Sequence, residues 1–173
     1  GAVPRPERAG VTRVRSLSAR QEIWRGLLQG QRSMLLRLSA PLKQEHGLTV
    51  PQYEALLTLW ESPQRSLPAS ELAKHLLYSS GSASHLITRL EERGLVERET
   101  RDEDARVVRV RLTGEGESLI AAATDSHVEQ LKAEFEPLIQ DDEVEILLRF
   151  VRRLADFEGV STAPPEQDAA RRG

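Results

Sequence analysis

Apolar residues recur at intervals of three, four and seven from Ser18 onward. Ile23, Trp24, Leu27, Leu28, Met34, Leu35, Leu38 and Leu42 line one stripe, which predicts a long amphipathic helix. Gly47, directly after His46, is placed to end it. Thr49-Val50-Pro51-Gln52 then reads as a fresh helix start. Thr49 can cap, Gln52 stands where a reciprocal cap would, and proline is tolerated in a first turn. This helix carries Tyr53, Leu56, Leu57 and Trp60 and breaks at Ser62-Pro63. Ser66-Leu67-Pro68 opens a short helix from Ala69 to about Leu76. After the turn-like Tyr78-Ser79-Ser80-Gly81, a longer helix runs from about Ser80 to Arg93. Leu86, Ile87 and Leu90 face inward on it, and Gly94 ends it.

After Gly94 the period changes. Residues 95–100 have strand character and residues 107–112 alternate clearly. Between them lies the charged stretch Arg101-Asp102-Glu103-Asp104-Ala105-Arg106, so the pair reads as a β-hairpin with a long tip. Thr113 can cap the next helix, with Glu115 and Glu117 near its positive end. Ile120, Ala123, His127, Leu131, Phe135 and Leu138 keep helical spacing there. Asp141-Asp142-Glu143 opens a last helix carrying Val144, Leu147, Leu148, Val151 and Leu154.

These elements predict a mainly α fold with a small β-hairpin wing. A winged helix-turn-helix domain over 48–112 is flanked by helices over 18–47 and 113–157. Residues 1–17 read as a flexible arm, and 158–173, rich in Pro, Ala and charge, as a disordered tail. The apolar-faced terminal helices offer more surface than a wing domain of about 60 residues can cover. Burial against a second copy, as a homodimer, is the simple solution.

Composition narrows the function. Cysteine is absent, which removes disulfides, thiolate catalysis and cysteine-based redox sensing. Four scattered His give little for a metal: His75, His85 and His127 fall on three elements, so no metal and no cofactor is expected. No phosphate loop, G-x-S-x-G or H-E-x-x-H is present, so an enzyme is not expected and no catalytic residue is assigned. No apolar run is long enough for a membrane span, and a soluble cytoplasmic protein is the default. The net charge of −3 conceals an uneven distribution: +4 over 1–64, +1 over 65–111 and −8 over 112–173. The acid sits in the last third, so one basic face remains possible.

The central segment suits DNA. The second helix of a helix-turn-helix can enter a major groove about 12 Å wide, with its N-terminal residues meeting base edges. Here that end reads Ser79-Ser80-Gly81-Ser82-Ala83-Ser84-His85, with Thr88 and Arg89 a turn later. Small residues permit close approach, and Ser and His can donate to phosphates or bases. At the hairpin tip, Arg101 and Arg106 suit a wing reaching into a minor groove, and Asp104 can orient Arg106. Two plainer readings stand beside this one: a serine-rich cap in an ordinary helical protein, and a merely solvated loop.

At these residues the chain resembles the MarR family of bacterial regulators. The resemblance is carried by Ser70-Glu71-Leu72-Ala73-Lys74-His75-Leu76, by Leu86-Ile87-Thr88-Arg89-Leu90-Glu91-Glu92-Arg93-Gly94-Leu95-Val96-Glu97-Arg98, by Asp104-Ala105-Arg106 and by Leu112-Thr113-Gly114-Glu115-Gly116. It covers roughly residues 18–157. It implies a winged helix-turn-helix homodimer on a palindromic operator of double-stranded DNA, and many members are repressors. It also implies recognition contacts from Ser79 to Arg89, Arg106 as the minor-groove residue and Asp104 as the residue holding the wing. Many members leave DNA when a small, often phenolic or anionic, effector binds between the dimerisation and DNA-binding regions. Family members often carry Arg or Asp where this chain has His85 and Thr88.

Trp24, His46 and Tyr53, with Trp60, could line an aromatic cavity with polar handles for such an effector. Some members that sense urate or phenolic compounds have a Trp at a similar place in the first helix. A Trp at helical spacing also serves simply as core. The alternative to DNA binding is a winged-helix dimer acting through a protein partner.

Overall fold

The computed structural model describes residues 15–100 and 106–164. Most of the expected arm, Arg101 to Ala105 of the expected hairpin tip and the last part of the expected tail lie outside the described residues.

Six helices and a three-stranded sheet follow in the order α1 (Ala19–His46), α2 (Val50–Trp60), β1 (Ser66–Pro68), α3 (Ala69–Leu76), α4 (Ser80–Glu92), β2 (Val96–Thr100), β3 (Val108–Leu112), α5 (Gly114–Glu134) and α6 (Val144–Glu158). A boundary between two compact units falls after Leu36, inside α1. In the first unit, Ser18 and Gln21 exchange side-chain and backbone hydrogen bonds at the start of α1, at 3.0 and 3.3 Å. In the second unit, α1 buries Leu38 and Leu42.

At α2 the predicted capping box forms. Thr49 Oγ1 accepts from Gln52 N at 3.3 Å and Gln52 Oε1 from Thr49 N at 3.1 Å. Two otherwise orphaned amides are thereby satisfied. Tyr53, Ala55, Leu56 and Leu59 of α2 enter the core, where Leu72, Ile87, Leu90, Leu95, Val96, Val110 and Ile120 meet them. All of these lie between α2 and the first turns of α5.

Two details go beyond or depart from the sequence-based expectation. Ser66-Leu67-Pro68, expected only as the lead-in to a helix, also forms a short strand, paired antiparallel to β3 with Leu67 opposite Val110. The sheet order is β1-β3-β2, so the hairpin gains a third strand; Pro68 then serves as the N-cap residue of α3. The helix carrying Ile120 ends at Glu134, and Glu136–Leu138 form a separate 3-10 turn containing Pro137. Proline lacks the amide that a continuing helix needs. The last helix starts at Val144, just after the acidic triplet.

Gly116 explains one motif position. A Cβ there would run into the carbonyl oxygen of Leu95 and the side chain of Leu112. Only glycine lets the first turn of α5 lie this close to the chain entering β2.

Candidate nucleic-acid interface

Helix α4 divides cleanly by face. Ala83, Leu86, Ile87 and Leu90 are buried, whereas Ser79, Ser80, Gly81, Ser82, Ser84, His85 and Arg89 are exposed. Ser79 is the N-cap: its Oγ accepts from Ser82 N at 3.2 Å and lies 3.0 Å from Ser82 Oγ. The helix thus presents hydroxyls, backbone amides and the positive end of its dipole on one open surface. A turn on, Arg89 Nε donates to His85 Nε2 at 3.2 Å, so the two side chains act as a pair.

Thr88 differs from its neighbours. It is half-buried, and its hydroxyl donates to the Ser84 carbonyl at 3.0 Å while accepting from Arg98 Nη2 at 3.0 Å. Before α4, Leu77 takes a left-handed φ of +57° and is 80% exposed, forming the tight turn of the helix-turn-helix.

The sheet's arginines are largely spent on internal partners. Arg98 pairs with Glu91 and also donates to the Ser84 carbonyl at 3.2 Å. Arg109 donates to Ser66 Oγ and O at 3.2 and 3.3 Å. Arg111 pairs with Glu99 and donates to the Gln64 carbonyl at 3.1 Å. Of the wing residues singled out from sequence, Arg106 is described and exposed, while Arg101 and Asp104 lie outside the described residues.

Sequence reasoning passed over two residues here. Arg93, at the end of α4, donates to the Gly47 carbonyl at 2.9 Å and reaches Gln52 Oε1 at 3.4 Å. It ties the end of α4 to the α1–α2 junction. Arg98 entered the sequence reading only as the last residue of the family motif, yet the register sets it opposite Val110, on the face shared by Val96 and Leu112. The buried phase of Val96 was the available signal, since residues two apart on a strand share a face.

Of the expected ligand residues, His46 and Tyr53 both meet α5. His46 Nε2 lies 3.0 Å from Ser126 Oγ, and Tyr53 Oη donates to Thr124 Oγ1 at 3.3 Å. Tyr53 also packs edge-on against His127, with ring centroids 5.4 Å apart. Burial raises the Tyr53 pKa and lowers that of His127, so both rings are held neutral. Trp24 belongs to the other unit and is 63% exposed. A cleft of about 1060 Å³ opens elsewhere, lined by Glu61, Glu71, Lys74 and Asp156 among others; neither His46 nor Tyr53 reaches it. Among the described residues no helix is long and apolar enough to cross a membrane, and no three potential metal-ligating side chains cluster.

Comparison with known proteins agrees with this geometry. The model of the MarR family matches residues 48–108. AbsC, a MarR family transcriptional regulator from Streptomyces coelicolor, is 30% identical and superposes with a TM-score of 0.73 over 83% of this chain and 97% of that one. Sco3205, a MarR family regulator of the same organism solved in complex with DNA, is 28% identical with a TM-score of 0.73, over 84% and 92%. NadR, solved in complex with 4-hydroxyphenylacetate, is 27% identical with a TM-score of 0.65, over 82% and 98%. Two curated relatives, both transcriptional regulators, are 36% and 40% identical over shorter stretches; this chain spans about half their length, 56% and 39%.

Proposed function

This chain belongs to the MarR family of DNA-binding transcriptional regulators, a family of regulators and not of enzymes, and we propose that it is a homodimeric repressor of a palindromic operator. In this reading two copies of α4 enter successive major grooves. Ser79, Ser80, Ser82, Ser84, His85 and Arg89 meet bases and phosphates, and Arg106, with Arg101 and Asp104, serves the minor groove. The observation that carries it is the two-sidedness of α4, whose polar face is open while the opposite face is fully used by the core.

Dimerisation is supported by α6. Ile146 and Phe157 are 61% and 86% exposed. The effector in this reading is a small phenolic or anionic molecule recognised at the His46–Tyr53–Thr124–Ser126 cluster, where hydroxyl and imidazole groups already exchange hydrogen bonds that a ligand could take over.

Selection of bound sequences from random DNA, with and without 4-hydroxyphenylacetate and other phenolic acids, tests all three parts. Expected are a palindrome with half-sites about one helical turn apart and weaker retention with ligand. Arg106→Ala should weaken operator binding by about 1–3 kcal/mol. Log affinity should fall with log salt by about 0.9 per phosphate neutralised. A flat salt response with no selected sequence would favour the protein-partner reading instead.

A further inference from the structure

We infer that Arg98 is a positioning residue that latches the wing to the recognition helix and thereby sets how the two DNA-reading elements are spaced. This rests on the reading of α4 and the wing as a DNA-binding pair.

Arg98 stands at an inward register position of β2, opposite the fully buried Val110. A cation on an apolar face needs nearby partners. Here they all come from α4: the Glu91 carboxylate, the Thr88 hydroxyl at 3.0 Å and the Ser84 carbonyl at 3.2 Å. Residues 84, 88 and 91 are spaced by four and three, so they form one stripe along the helix. A planar guanidinium can engage two turns of that stripe at once, which the point charge of lysine cannot do. The Arg98 side chain is 28% exposed, and its charge is matched by Glu91, so it is poorly placed to neutralise a phosphate.

Arg98 lies two residues before the end of β2, so the latch acts close in sequence to Arg101–Arg106, the stretch expected from sequence to form the wing tip. Reading a major and a minor groove together requires a fixed distance between the readers. Holding that distance in the free protein removes an ordering cost from specific binding. Non-specific association, governed by phosphates, makes no such demand. The Thr88 hydroxyl, engaged on both sides, belongs to the latch and not to base reading.

The experiment compares wild type, Arg98→Ala, Arg98→Lys, Arg106→Ala and the helix-side double variant Thr88→Val/Glu91→Gln. Affinities for the selected operator and for a random duplex are followed across salt. Arg98→Ala should lower operator affinity roughly 10-fold to 100-fold, the range for losing hydrogen bonds to a charged group. Its random-duplex affinity and salt slope should stay at wild-type values, whereas Arg106→Ala should cut the slope by about 0.9. Arg98→Lys should not restore the loss. The helix-side variant should reproduce it, and adding Arg98→Ala should cost little more, because the groups act as one unit.

A slope reduced by Arg98→Ala would make it a phosphate contact and overturn the inference. So would unchanged operator affinity, or losses that simply add. If wild type selects no operator, the DNA-binding reading fails and the latch is judged by amide hydrogen exchange. Faster exchange at Val96–Thr100 in Arg98→Ala would uphold it as a structural clamp, and unchanged exchange would overturn it.

Discussion

Between Leu48 and Leu112 the chain covers its own large apolar side chains; among the described residues only Leu77 and Val107 stand out in solvent. Helix α6 does the opposite. It buries Ala155 alone and leaves Val144, Ile146, Leu147, Leu154 and Phe157 exposed. Both stretches show apolar residues at helical spacing in sequence. The difference lies in supply: the winged region brings helices and a sheet that enclose a shared centre, while α6 has an apolar face and too little of its own chain to set against it. The first region carries the information for a self-contained fold; the second leaves an apolar face that the proposed dimer would cover.

The largest expected effect breaks the self-contained side. Leu90 is fully buried, so Leu90→Ala should cost about 2–5 kcal/mol in denaturant unfolding. A loss below that range would show that the core relaxes around the gap. Gly116→Ala comes next: the new methyl meets the Leu95 carbonyl, and overpacking of this kind costs about 1–3 kcal/mol. Thr49→Ala removes one half of the capping box and should cost about 1 kcal/mol, read as a lower melting temperature.

A smaller effect concerns pH. Burial lowers the His127 pKa from the ordinary 6.5, so below that pH the unfolded chain takes up a proton more readily than the folded one. Stability should therefore be level above neutrality and fall as pH drops through the unfolded value, with a slope of at most about 1.4 kcal/mol per pH unit. His127→Gln should flatten the melting temperature over this range; an unaltered profile would assign the acid loss to other groups. The smallest effect sharpens the other side of the comparison. Phe157→Ser should change dilute-limit unfolding by no more than about 0.5 kcal/mol while weakening self-association in sedimentation. Unimpaired association would remove α6 from the dimer surface.

How far the sequence could be read follows the same division. Capping chemistry was legible because it is local: Thr49 and Gln52 meet across one turn, as does Ser79 with Ser82. The inward positions Leu86, Ile87 and Leu90 followed from helical period alone. β1 was not legible, since three residues ending in proline show no alternation and owe their pairing to β3, more than forty positions away. No role could be assigned to Arg98 and Arg93 for a similar reason, because their partners sit on other elements. Trp24 illustrates the limit of period as evidence: its stripe is real, yet within one chain it is 63% exposed.

The separation of faces on α4 has an evolutionary corollary. Ser80, Gly81 and Ser84 are exposed and contribute nothing to the packed side of the helix, so in the proposed reading exchanging them would change what is read at little cost to folding. Most routes to a new binding preference in proteins are blocked by lost stability. Here a duplicated copy could drift toward a different target through a handful of surface codons while its scaffold stayed intact.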